Sequence, residues 1–220
     1  MDVTKNIEDY LKAIFYIINE SKNGKAGTNQ LAEYLNLSPA SVSSMLRKLK
    51  EKKLIAYEKY GKLELTKNGH EIAVQLVRKH RLWETFLCDQ LNFNWDEVHE
   101  VAHQLEHIQS PKLIFELDKF LGHPKFDPHG DVIPDEKGNF KNQSRLTLSQ
   151  LKKGNLCRLV SVKDSSAVFL NYVTQIGLAL SSEIEVMELR EFDDSILIAF
   201  NDKMENISKK FAENIYVEII

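Results

Sequence analysis

Residues 122–145 change the texture of this chain, and that change constrains the fold more than any other feature. The stretch holds three of the five prolines (Pro124, Pro128, Pro134) and three glycines (Gly122, Gly130, Gly138), and it reads as an extended linker. Before it, apolar residues recur at helical spacing. After it, they fall into short strand-like runs. At about 100–150 residues per domain, 220 residues make two domains or three small ones, helical first and β last.

Ile7, Tyr10, Leu11, Ile14, Phe15 and Ile18 form an i, i+3, i+4, i+7 stripe for a first helix, ended by Ser21–Gly27. Thr28 is expected to cap a short helix carrying Leu31, Ala32 and Leu35. Ser38 caps the next, with Pro39 at its first position, where a missing N–H costs nothing. That helix buries Val42, Met45, Leu46 and Leu49. Leu54–Lys59 and Leu63–Thr66 read as strands around the hairpin signal Tyr60-Gly61. Three helices and a hairpin outline a winged helix-turn-helix. The exposed face of its second core helix carries Ser38, Pro39, Ala40, Ser41, Ser43, Ser44, Arg47 and Lys48. Small hydroxyl residues followed by cations let a helix sink into a major groove and touch base edges and phosphates.

Thr66 caps a long helix with Ile72, Leu76, Leu82, Phe86 and Leu87; Asn94 caps another, from Trp95 to about Gln109. Ser110-Pro111 opens a third, with Leu113, Ile114, Leu117 and Leu121, closed by Gly122. From about Leu146 the runs Leu156–Val162, Glu183–Leu189, Ser195–Phe200 and Tyr216–Ile220 read as strands. Asp193-Asp194 turns a hairpin, and Phe169–Gly177 fits one helix. Short strands over that length suggest a small barrel.

The formal net charge of −3 argues against a nucleic-acid partner only as an average. Residues 1–70 hold twelve Lys/Arg against eight Asp/Glu, and the remainder seventeen against twenty-four. A +4 head is thus joined to a −7 body. The head's cations gather at Arg47, Lys48, Lys50, Lys52 and Lys53, with Lys59 and Lys62 on the wing, a patch suited to phosphates. Two distant cysteines, Cys88 and Cys157, exclude a disulfide scaffold and fit a reducing cytosol. No apolar run reaches the ~18 residues a bilayer needs, and the N-terminus has no signal-peptide core. A cytoplasmic protein without membrane association is expected.

Six of the seven histidines fall between positions 80 and 129. On the helix expected from Trp95, His99, His103 and His107 are spaced i, i+4, i+8 on one face, with Glu100 and Glu106 near them. His80 and Glu84 make an i, i+4 pair on the preceding helix. A lone histidine in such a place is usually a core residue. Several on two successive helices, with carboxylates, suit a divalent Zn, Fe or Mn ion. His103-x-x-Glu106-His107 also matches the inverted metallohydrolase order H-x-x-E-H. A hydrolase built on His103, Glu106 and His107 would leave the N-terminal head without a purpose; a metal-storage or transport accessory would leave its basic helix without one.

Taken together, the chain resembles the diphtheria toxin repressor family of metal-dependent transcriptional regulators. The resemblance rests on Val77-Arg78-Lys79-His80-Arg81-Leu82-Trp83-Glu84, on Val98 through His107, and on Asp127-Pro128-His129-Gly130-Asp131-Val132-Ile133-Pro134. Residues 146–220 are similar to the SH3-like, FeoA-like domain of its longer members. The resemblance implies a winged helix-turn-helix at 1–65, a helical metal-binding and dimerisation domain at 66–122, a linker at 123–145 and a β domain at 146–220. It implies a cytoplasmic homodimeric repressor, not an enzyme, that reads a double-stranded DNA operator and controls metal-ion uptake. One metal site would use Asp9, His103, Glu106 and His107, and a second His80, Glu84 and His99. Asp164, or the linker residues Asp127 and His129, would complete the second. Iron-responsive members carry methionine and cysteine at the positions of Asp9 and His103, so the harder ligands here point to Mn²⁺, with Fe²⁺ the alternative and Zn²⁺ accepted in vitro. Lys12 departs from the manganese branch, which has an acidic ligand there; Ser166 and Phe169 stand where iron-type members supply a carboxylate and an amide. Trp83, Phe86, Leu87, Leu113 and Leu117 are the expected dimer surface.

Overall fold

In a computed structural model, residues 3–21, 26–57, 63–139, 146–164 and 166–220 are described. They pack as two compact units. The first comprises Met1–His80, Gln104–Pro111 and Pro134–Asn139; the second comprises Arg81–His103, Lys112–Ile133 and Phe140–Ile220.

The first unit opens with three helices, α1 (Lys5–Glu20), α2 (Thr28–Tyr34) and α3 (Pro39–Glu51), and a hairpin, β1 (Ile55–Tyr57) with β2 (Leu63–Leu65). Leu11, Ile14, Leu31, Val42, Leu46, Leu49, Leu54 and Leu63 are each at most 1% exposed and form its core. Each such side chain contributes about 1.5–3 kcal/mol by leaving water. Ser38 caps α3 as expected, its Oγ accepting from Ser41 N–H at 3.2 Å. Thr28 does not cap α2: Gly27 holds that position and Thr28 is the first helical residue. The turn at Tyr60-Gly61, with Lys59 and Lys62, lies outside the described residues.

A long helix, α4 (Lys67–Leu91), begins in the first unit and ends in the second; α5 (Val98–Leu105) and α6 (Pro111–Phe120) follow. The expected helix from Trp95 to Gln109 is thus cut short at both ends. Asn94 N–H donates to Glu97 Oε1 at 2.9 Å, making a turn in place of a first helical turn, and Glu106 and His107 lie in the turn after Leu105. Residues 123–139 are folded rather than extended. Asp127 accepts from the His129 and Asp131 N–H groups, Asp135 accepts from those of Lys137 and Asn139, and each carboxylate closes a turn.

The second unit is dominated by a six-stranded antiparallel sheet of order β3-β8-β4-β5-β6-β7. Its strands are β3 (Leu146–Thr147), β4 (Leu156–Val162), β5 (Glu183–Leu189), β6 (Ile196–Phe200), β7 (Lys203–Ile207) and β8 (Ile215–Ile219), with α7 (Ala167–Ile176) and α8 (Lys209–Ala212) between them. Leu159, Leu170, Val173, Ile184, Val186, Ile198 and Ile215 lie at the centre of its core. Of the residues expected at a dimer surface, Trp83, Leu87 and Leu117 are buried within the chain. On α4 and α6, Leu91, Leu113, Phe115 and Phe120 are exposed. Among the described residues no helix is long and apolar enough to cross a membrane.

Candidate metal centre

In the first unit, α1 presents Glu8, Asp9 and Lys12 to the turn that holds Glu106 and His107. Glu106 is fully buried, and one of its oxygens, Oε2, accepts from Lys12 Nζ at 2.6 Å and lies 2.5 Å from His80 Nδ1. A buried carboxylate survives only when its charge is met by such partners. The His107 ring is held from behind: Nδ1 donates to Glu8 Oε2 at 2.6 Å, while Glu8 Oε1 accepts from Gln109 Nε2 at 2.7 Å. His107 Nε2 is thereby turned to Asp9 Oδ1 at 3.1 Å and Glu106 Oε1 at 3.7 Å. Ligand atoms of Asp9, Glu106 and His107 lie within 4.8 Å of one another. His103 stands one helical turn before His107, near the end of α5. Two carboxylates and an imidazole oriented by a further carboxylate are a donor set that fits a first-row divalent ion.

A separate group forms wholly within the second unit. Glu84 Oε1 accepts from His99 Nδ1 at 3.2 Å, and Glu84 Oε2 lies 3.6 Å from His129 Nδ1. Asp127 joins them: the ligand atoms of Glu84, Asp127 and His129 fall within 4.8 Å, and all three residues are buried. Arg81 supplies the countercharge, with Nε 3.4 Å from Asp127 Oδ2 and Nη2 3.2 Å from Asp131 Oδ2. Burial pushes the Asp127 carboxyl up from the usual carboxylate range, the Glu84 and Asp131 charges push it further, and Arg81 and His129 pull it back. His129 is pushed up to about 9: burial alone would lower it, but its interactions with Glu84, then Asp127, then the Trp95 carbonyl outweigh that. These groups hold protons in the place where a divalent cation would satisfy the same carboxylates.

The loop that carries Asp127 and His129 is seated tightly. Gly130 has φ +82°, and a Cβ there would lie 2.0 Å from the Val160 carbonyl oxygen on β4. No other residue fits.

His80 has its Nδ1 beside Glu106 Oε2 and stands one turn before Glu84 on α4. Asp164 is not gathered with Glu84, Asp127 and His129; its Oδ1 instead accepts from Ser166 N–H at 2.9 Å. Sequence reasoning missed Glu8, Arg81 and Trp95. Glu8 carries no signal of its own, because its partner is a hundred residues away in the chain. Arg81 lies inside the motif that revealed His80 and Glu84.

On α3, Ser38, Pro39, Ala40, Ser41, Ser44, Arg47 and Lys48 are exposed and Ser43 is half-buried. The face expected to meet DNA is thus a surface of the helix. The opposite face, Val42, Leu46 and Leu49, is buried.

A winged-helix head, helices bearing histidine–carboxylate groups and a small antiparallel β domain define the class of metal-responsive DNA-binding regulators. Family models match in that order: the iron dependent repressor N-terminal DNA binding domain over residues 2–63, the iron dependent repressor metal binding and dimerisation domain over 66–135, and the FeoA domain over 146–219. The chain belongs to the diphtheria toxin repressor family of metal-dependent transcriptional regulators. Over 133 residues it is 32% identical to the Iron-dependent repressor IdeR of Mycobacterium leprae, an alignment covering 60% of this chain and 57% of that repressor. The HTH-type transcriptional regulator MntR of Geobacillus thermodenitrificans is 36% identical over 104 residues, 47% of this chain and 72% of that protein. Among solved structures, a manganese-dependent transcriptional repressor in complex with manganese superposes with a TM-score of 0.88 at 34% identity, covering 97% of this chain and 99% of that one.

Proposed function

We propose that this protein is a metal-activated transcriptional repressor of metal-ion uptake, that Mn²⁺ is its activating ion, and that it binds operator DNA as a homodimer. The observation that carries the reading is the position of Asp9. It lies on the first helix of the winged-helix segment, yet its carboxylate meets Glu106 and His107, which come from the helical segment. A divalent cation, when bound, would supply the positive charge that holds these donors together.

Asp9, Glu106 and His107 are the ligands in this reading, with His103 joining them from the preceding helical turn. Glu8 orients His107, and Lys12 neutralises the second oxygen of Glu106. Because an ammonium already stands at that oxygen, we infer one cation here rather than two. Glu84, Asp127 and His129, with His99 beside them, form the second site. Oxygen-rich donors favour Mn²⁺, which needs selectivity from ligand type because its intrinsic affinities are weak. Fe²⁺ is the second reading, favoured by the number of imidazoles.

DNA binding is assigned to the exposed face of α3, with Arg47 and Lys48 on phosphates and the serines toward base edges. Lys59 and Lys62 extend the contact on the wing. The domain division 1–65, 66–122, 123–145 and 146–220 fits this allocation of tasks. A ligand shared by head and body selects one arrangement of the two, and DNA then tightens metal binding by the same factor that metal tightens DNA binding.

The test is an anaerobic titration of operator-containing DNA, followed by fluorescence anisotropy, with Mn²⁺, Fe²⁺ or Zn²⁺. Asp9→Ala should lower DNA affinity at saturating Mn²⁺ by about ten- to a hundredfold, the range of a typical coupling energy, with thermal stability little changed. Equal affinity for both proteins, or full binding without metal, would sink the proposal.

A further inference from the structure

Trp95 touches the second site and the β domain at once. It lies in the turn before α5, and its backbone carbonyl accepts from His129 Nε2 at 2.8 Å. Its ring stacks on the His129 imidazole, with centroids 6.1 Å apart and planes 12° from parallel. Its indole Nε1 donates to Thr174 Oγ1 on α7 at 3.0 Å, and the ring packs against the core of the sheet. The Thr174 hydroxyl has its own hydrogen committed to the Leu170 carbonyl at 3.1 Å, so toward Trp95 it acts as an acceptor. The far side of the loop is tied to the same domain, the His129 carbonyl accepting from Val162 N–H of β4 at 3.3 Å.

From this arrangement we infer that Trp95 is a positioning residue that couples the Glu84–Asp127–His129 site to the C-terminal β domain. The inference rests on reading those three side chains as metal ligands.

The physical argument has two steps. A neutral imidazole carries one N–H and one lone pair, and the bond that one nitrogen makes decides which is available to a ligand. The Trp95 carbonyl takes the N–H at Nε2. Once the proton facing Glu84 is released, the lone pair is left on Nδ1. The stacked indole then fixes the plane of the ring, and Thr174 fixes the indole. Constraining His129 by a cation therefore constrains Trp95 and, through one hydrogen bond and an aromatic face, α7. By reciprocity, the β domain adds to metal affinity by holding the ligand in place before the ion arrives. This gives the domain a task in the metal response without supplying a ligand itself.

The experiment uses the full chain and Mn²⁺ alone. Bound Mn²⁺ is counted by equilibrium dialysis, and amide hydrogen exchange of Ala167–Ile176 is followed with and without the ion. Wild type should bind one more Mn²⁺ than Asp127→Ala, and Mn²⁺ should slow exchange in α7. Trp95→Phe keeps the stack and removes the indole N–H; Thr174→Val removes its acceptor. Each should cut the Mn²⁺-dependent slowing by about three- to tenfold, the size of one neutral hydrogen bond. The double variant should lose no more than either single one, because both remove the same bond. Equal Mn²⁺ stoichiometry for wild type and Asp127→Ala would overturn the site, and the coupling with it. A site that depends on Asp127, with α7 protected equally in wild type and Thr174→Val, would overturn the coupling alone.

Discussion

The two histidine–carboxylate groups solve the same electrostatic problem in opposite ways. In the first unit, the buried Glu106 carboxylate has a lysine ammonium as a permanent partner, and Asp9, at the rim, remains a quarter exposed at its side chain. In the second, Glu84, Asp127 and His129 are all buried, and Arg81 stands beside Asp127. One group has its charge balanced in advance; the other is balanced by taking up protons, as the raised Asp127 and His129 affinities indicate. A group balanced in advance can keep its shape while empty and respond to an ion by joining two segments. On the proposed reading, a group balanced by protons would exchange them for an ion, and its occupancy would depend on pH.

The largest effect that can break this contrast is at Lys12. Lys12→Met removes the ammonium from the buried Glu106 carboxylate, and removing one side of a buried pair typically costs about 3–5 kcal/mol. Urea unfolding of the metal-free protein should register that loss, and saturating Mn²⁺ should recover part of it. An unchanged midpoint would mean that the Lys12–Glu106 bond does not balance the site.

A smaller effect sharpens the proton side of the comparison. A group that binds its proton more tightly in the fold than in the unfolded chain stabilises the fold while protonated and ceases to do so as pH rises. For His129 that window runs from its ordinary 6.5 to about 9, and Asp127 acts with the same sign from lower pH. The metal-free protein should therefore melt at lower temperature at pH 9 than at pH 6. Asp127→Asn keeps the acceptor for the His129 and Asp131 N–H groups but removes the charge, and should flatten that slope. Parallel slopes would refute the assignment.

The smallest effect is at Cys88, whose thiol is pushed up to about 12 by burial first and then by the Glu84, Asp89, Asp127 and Glu97 charges. Alkylation at pH 8 should be slow, since only the thiolate reacts. Mn²⁺ should speed it a few-fold by neutralising Glu84 and Asp127, and leave Cys157, which burial alone raises to about 11, unaffected.

Much of this architecture was legible because local chemistry decides it. Ser38-Pro39 start α3 as a cap and a first-turn proline, and β4 and β5 span the strand-like runs expected, Leu156–Val162 and Glu183–Leu189. Elements set by tertiary contacts were not. Strand β7, Lys203-Met204-Glu205-Asn206-Ile207, is a mostly exposed edge with no apolar pattern to reveal it. The expected His99–His103–His107 face fails because α5 ends at Leu105, which carries His107 off the helix and onto Glu8. Trp83, Leu87 and Leu117 have the spacing of a surface stripe, but helical periodicity does not distinguish a face turned to a partner from one turned to the chain's own core.

The fit of Gly130 against Val160 has a consequence for how this protein can vary. At Gly122 and Gly154 an added Cβ meets nothing within 4 Å, so a substitution there bears only the cost of a left-handed backbone. At Gly130 the same methyl group collides with a carbonyl oxygen of the sheet. The loop carrying Asp127 and His129 thus has a clearance smaller than one carbon atom, and it cannot acquire a side chain at that point without lifting both residues off the strand that supports them.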